Sequence, residues 1–310
     1  MLRKTRRSIQ QIYQYPTRDV WLHITAVGMF LVSSLLLARF IYIYPLSPAF
    51  DWAQASDSFL YIIMAASIAF FSYMTISWSF SLALILFLLS SGVSSVAEIL
   101  GLSSGLTFGT LYHYHPDIAT RITEQLPLAI PLAWFIFCCI PLMLLRPWLL
   151  SDHTGAGLSA SGAPRRGMLG RQVVACSALL TSCDLFLEPL SVYTGYWTWA
   201  RQGYYFGAPV MNFLGWFWVG LIVFSSFFYI KNRWFRHVTT AHNHLDRYLI
   251  WLFLFWIIVA LMLIGYQFNS LVPLWLTSMM MGPLLYLRVW KERQIKADFK
   301  VSKNQRNGTG

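Results

Sequence analysis

Charge is what this chain has least of. Of 310 residues only 11% are Asp, Glu, Lys or Arg, against roughly 25% in a soluble globular domain, so a water-soluble fold is excluded. Cysteine is sparse too: Cys138, Cys139, Cys176 and Cys183 form no CxxC pair and all fall in apolar segments, which reads as packing rather than as a disulfide framework or a zinc site. No GxSxG elbow and no Walker loop is present. Gly155, Gly157 and Ala160 spell GxGxxA, but no strand precedes them, so a dinucleotide site is discarded. A single Asp-Glu pair is too little for a polyprenyl transferase, which needs two acid-rich motifs to hold magnesium and diphosphate.

What remains is apolar. The chain is 57% hydrophobic and 17% aromatic, with a mean hydropathy of +0.54. A spanning helix needs about 20 mostly apolar residues, and such runs lie at 21–44, 58–77, 79–100, 127–149, 172–188, 209–230, 248–268 and 271–287. The expected fold is therefore all-α: a polytopic membrane bundle of about eight helices over 21–290, with a basic arm at 1–20 and a polar tail at 291–310. The 43 residues from 58 to 100 are too long for one crossing at about 1.5 Å per residue, and the break is placed at Ser77-Trp78-Ser79. The first run is longer than a signal-peptide core and is read as a retained helix.

Basic residues set the orientation, because cytoplasmic flanks collect Lys and Arg. With eight spans and both termini in the cytoplasm, only Arg39, Arg121 and Arg201 of the 23 basic residues fall outside. The net charge of +11 is spread over four juxtamembrane segments, which suits anionic lipid better than nucleic acid. The expected location is a prokaryotic cell membrane, with membrane lipid as a partner and no nucleic acid.

Two outer connections, 101–126 and 189–208, look organised, and long ordered loops are usually functional. The first spaces Gly101, Gly105 and Gly109 four apart, which fits close backbone approach or ordinary helix packing. The second holds Tyr193, Tyr196, Trp197, Trp199, Tyr204, Tyr205 and Phe206; a membrane-interface belt explains any one ring, but seven in one connection is dense. His113 and His115, like His242 and His244, lack the repeated spacing of an iron-binding membrane oxygenase, and no metal is expected. The first pair, beside Tyr112, Tyr114 and Asp117, could hydrogen-bond near the outer acids.

Those acids are the sharpest feature. CDLFLEPL places Asp184 and Glu188 one helical turn apart. Pro189 should end the helix near Glu188, and Glu98 in VAEILG closes another helix on the same side. An ionised Asp at a helix centre costs about 2.5 to 3.5 kcal/mol on insertion scales, so such groups call for a partner or a task. Burial, the helix dipole and a like-charged neighbour together favour a retained proton, which makes a general acid. The structural alternative is a hydrogen bond to Arg39, Arg201 or a loop amide.

The ordered blocks EILGLSSGLTFGTLY (98–112), LPLAIPLAW (126–134), DLFLEP (184–189), GYWTW (195–199), GYYFGAP (203–209) and NFLGW (212–216) resemble the membrane-bound carotenoid biosynthesis family. That family includes bisanhydrobacterioruberin hydratase and the γ-carotene 1'-hydratases. The resemblance implies a hydro-lyase without a cofactor, adding water across the terminal 1,2 double bond of a linear or monocyclic carotenoid to give a tertiary alcohol. It implies Asp184 or Glu188 as acid, with Glu98 or the other member of the pair orienting water. A substrate site would draw on Tyr112, His113, Trp197, Trp199, Tyr205, Phe206, Asn212 and Trp216, their rings facing a cation, and other carotenoid-pathway enzymes are possible partners. The competing expectation is a proton-coupled transporter or a non-catalytic lipid- or carotenoid-binding membrane protein, whose acids would lie nearer the midplane.

Overall fold

In a computed structural model the described residues are 20–44, 49–146, 149, 166–235, 245–279, 281–283, 286 and 289. The basic arm, the GxGxxA linker, His242 and His244, and the tail beyond 290 lie outside them. Helices α1 (Val20–Ile43), α2 (Trp52–Ser77), α3 (Phe80–Ser104), α4 (Ala129–Leu144), α5 (Arg166–Tyr193), α6 (Val210–Trp234) and α7 (Leu245–Phe268) are joined by two short strands, β1 (Tyr112–Tyr114) and β2 (Trp197–Trp199). An eighth helix, α8, begins at 272. Among the described residues, α1, α2, α3, α6 and the Leu169–Tyr193 part of α5 are each long and apolar enough to cross a membrane. The chain is an all-α membrane bundle.

Among the described residues a helix overlaps each of the apolar runs, but several ends differ. Helix α2 starts at 52 rather than 58, because the Asp51 side chain accepts the Gln54 N–H at 3.2 Å and caps the first turn. The break after Ser77 falls where it was expected. Trp78 closes α2 with its N–H on Met74 O at 2.8 Å, and Ser79 Oγ accepts the Leu82 N–H at 3.2 Å. Arg146, 1% exposed, donates to Ser77 Oγ at 3.3 Å, and Lys231 Nζ lies 5.5 Å over the Trp78 ring. Two cations thus pin that corner.

The expected stop of the fifth helix near Glu188 is wrong, since α5 runs through Pro189 to Tyr193. Proline removes an N–H and leaves the carbonyl four residues back without its helical donor. That carbonyl, Leu185 O, accepts the Tyr205 hydroxyl at 2.6 Å instead. Helix α3 likewise continues to Ser104, so Glu98, Asp184 and Glu188 sit inside their helices, beyond the last-turn reach of the helix dipole.

Helix α4 is buried along almost its whole length. It is apolar on all sides, as a helix sheathed by others must be, and packs against α2, α3 and α5. Helix α1 lies along α2, α6 packs on α5 and α3, and α7 rests on α5 and α4. Several buried serines return their hydroxyls to their own helices, as Ser90 does to Leu86 O at 2.7 Å and Ser177 to Val173 O at 2.9 Å, leaving small surfaces for close helix approach. Outward faces are apolar, with Leu35, Ile222 and Met262 exposed. Where α1 meets α7, Trp256 Nε1–H donates to Ser34 Oγ at 3.1 Å, both side chains being half-buried.

Candidate active site

The site is built by two loops that fold back over the helix ends. Gly105 caps α3 with φ 70° and donates its N–H to Gly101 O at 2.9 Å; only glycine takes that conformation freely. The reversed chain lays the Phe108 ring on Gly101 and Gly215, where an added Cβ would stand 2.6 and 2.5 Å from it. From there β1 runs antiparallel to β2, pairing Tyr112 with Trp199, His113 with Thr198 and Tyr114 with Trp197. Arg121 fastens the following loop by donating to the carbonyls of Ile118 and His115 at 2.9 and 2.6 Å.

Strand alternation turns Tyr112 and Tyr114 inward and His113 outward. The Tyr112 hydroxyl donates to Glu98 Oε2, and Tyr114 donates to the same oxygen at 2.7 Å. From α4, Trp134 Nε1–H reaches Glu98 Oε1 at 2.9 Å. Burial pushes both phenols up and the neighbouring Glu98 adds to the shift, so they remain donors.

Glu188 has a matching cradle. Trp197 and Trp199 donate Nε1–H to Oε2 at 3.0 and 3.3 Å, and Asn212 Nδ2 donates to Oε1 at 2.8 Å. The other Asn212 amide hydrogen goes to Asp184 Oδ2 at 2.5 Å, so one asparagine bridges both acids of CDLFLEPL. Asp184 is fully buried and its Oδ1 has no hydrogen-bond partner among the described residues. Among the described residues neither Arg39 nor Arg201 pairs with an acid, and the ion pair found there is His115 with Asp117 at 3.7 Å. Among the described residues every donor to the three carboxyl groups is neutral.

Glu98, Glu188 and Asn212 face one apolar cavity of about 380 Å³, which extends between the helices to Phe30 and Ser34 of α1 and Trp256 and Leu263 of α7. This is within the usual range of ligand sites, about 300 to 1,000 Å³. Of the residues expected there, Tyr112, Trp197, Trp199, Asn212 and Trp216 line it. Asp184 does not; it stands behind Glu188. His113 is exposed on the far face of the strand, and His115 holds Asp117 N–H at 3.3 Å, so neither histidine reaches the acids. Tyr205 is occupied with Leu185, and Phe206, at φ 51°, packs on Tyr205 and on Phe268 of α7 with ring centroids 5.0 Å apart in each case; neither lines the cavity.

Sequence reasoning gave no role to Tyr114 or Trp134. Trp134 also stacks on Trp216 with centroids 4.0 Å apart at 24°. The signal was present: a tryptophan with an N–H to place, in the otherwise hydrocarbon run LPLAIPLAW.

Fold and site together define a membrane protein with a greasy internal chamber and carboxyl groups set into one end of it. Residues 57–283 match the family described as carotenoid biosynthesis protein, and the chain belongs to that family. Comparison with curated proteins and with solved structures gives no match. Membership supports a role in carotenoid biosynthesis, an enzyme's part in it, and a carotenoid-related substrate.

Proposed function

We propose that the protein is a carotenoid hydratase acting on the terminal 1,2 double bond of a linear end group. The observation that carries this reading is a pair of glutamates on neutral donors, facing the same hydrocarbon-lined chamber. A polyene end offers nothing to a charged pocket, and an apolar chamber with a few placed polar groups is what it requires.

In this reading the Asp184–Glu188 pair supplies the proton. Two carboxyl groups a turn apart, with no cation beside them among the described residues, suit one shared proton, and Glu188 is the member that reaches the chamber. Its proton bonds to C2 with the alkene π pair, leaving a tertiary cation at C1. Aromatic faces such as Trp216 and Trp199 stabilise that cation, by on the order of 2 kcal/mol each when desolvated. Water then bonds to C1 through an oxygen lone pair, and Glu98 takes the proton it sheds. Solvent restores the proton to the pair and removes it from Glu98, so the net change is one water added, with no redox step.

The hairpin end lies on the outer side of a prokaryotic cell membrane in this reading, and the polyene enters from the bilayer between α1 and α7. The test is co-expression with enzymes that make linear carotenoids, in water enriched in oxygen-18, with mass analysis of the pigment. Hydration gives a product heavier by one labelled water. Label drawn from O₂ overturns the reaction, and unchanged pigment leaves carotenoid binding without catalysis.

A further inference from the structure

Hydration needs water at a point that the bilayer keeps dry. A small chamber of about 10 Å³ lies behind the hairpin, bounded among others by Ser56 and Phe59 of α2, Thr120 of the outer loop, Ala129 and Tyr196. Phe59, Ala129 and Tyr196 also line the main cavity, so the two spaces share a wall. A single water needs about 10 to 15 Å³ and two to four polar partners, and three hydroxyls are present. Thr120 is exposed at the protein surface.

Tyr196 is 3% exposed, yet its hydroxyl has no hydrogen-bond partner among the described residues. Buried hydroxyls are rarely left so. Its ring is fixed, 4.5 Å from Trp52 and 5.9 Å from Tyr114 between centroids, and Trp52 is itself tied to Thr194 O at 2.7 Å. Tyr114 is the residue whose hydroxyl donates to Glu98. Burial pushes the Tyr196 hydroxyl up, with Arg121 pulling the other way and Glu98 adding to the rise. It is therefore a neutral group that both donates and accepts, not a base.

We propose that Tyr196 is a positioning residue that holds the attacking water in the wall between the small chamber and the main cavity, water that enters past Thr120 and is passed toward Glu98. This rests on the hydration reading above. Its consequence is specific to the second half of the reaction: the cation forms without Tyr196, but capture by water becomes slow and the cation returns to alkene by losing a proton from C2.

The experiment compares wild type and Tyr196→Phe in native membranes with a linear carotenoid in deuterium oxide, measuring tertiary alcohol and deuterium at C2 of the recovered alkene. The expected result is at least a tenfold fall in alcohol with exchange maintained, so that the ratio of exchange to hydration rises about tenfold or more. An unchanged ratio in Tyr196→Phe overturns the proposal even if both rates fall. If that variant does not accumulate, Ser56→Val, which fills the small chamber, decides: the same rise supports the proposal and an unchanged ratio overturns it. Wild type that makes no alcohol refutes hydration itself, and the water site falls with it.

Discussion

Glu98 and Glu188 are chemically the same residue, each held by three neutral donors against one cavity. They differ in what stands behind them. Glu98 is backed by two phenols and an indole, whereas Glu188 shares Asn212 with a second carboxyl group, Asp184, one of whose oxygens has no partner among the described residues. Two like groups in unlike surroundings are how a single site divides acid from base. The comparison teaches that donor count alone does not tell the two glutamates apart; in the proposed hydration, the neighbour that can share a proton does.

The largest expected effects test that division directly. Glu188→Gln should lower alcohol formation by at least about 10²-fold, the usual contribution of a general acid, and should abolish deuterium exchange into the alkene. Glu98→Gln should reduce alcohol similarly but leave exchange, since the cation still forms. Identical behaviour of the two variants in mass analysis would break the comparison. Asn212→Leu removes the bridge and takes the donor from two carboxyl oxygens, Asp184 Oδ2 and Glu188 Oε1; loss of buried hydrogen bonds to such groups costs about 1.5 to 3 kcal/mol each, read as a lower melting temperature and a roughly tenfold or greater loss of activity.

Smaller effects sharpen it. Trp134→Phe keeps a ring against Trp216 but removes the donor to Glu98 Oε1, and about a tenfold fall in activity is expected, with a drop in melting temperature smaller than that of Asn212→Leu because one bond is lost rather than two. His113→Ala, on the exposed face of β1, should change stability by less than about 0.5 kcal/mol and leave the pigment profile as it was. A large loss there would show that the strand's outer face also serves the reaction.

Helix positions were legible because lipid demands long apolar runs, and the break at Trp78 was legible because no single crossing could be that long. The helix ends were not. Pro189 signals a stop by local rules, and the partner that lets α5 continue, Tyr205, lies 16 residues further on. The acids stood out against a background almost free of charge, but their donors did not. Tyr112–Tyr114 and Trp197–Trp199 come from connections far apart in sequence, and three-residue strands carry too little pattern to announce a pairing. His113 was the readable error: in Tyr-His-Tyr a period of two sends the histidine away from whatever the tyrosines face.

The seam between α1 and α7, where Trp256 meets Ser34 beside the end of the cavity, matters at the bench. A surfactant's alkyl tail has the same hydrocarbon chemistry as the polyene that the proposed function passes through this seam. Micelles would therefore act as competitors, raising the apparent KM with surfactant concentration, whereas the same protein in lipid nanodiscs would be spared that inhibition.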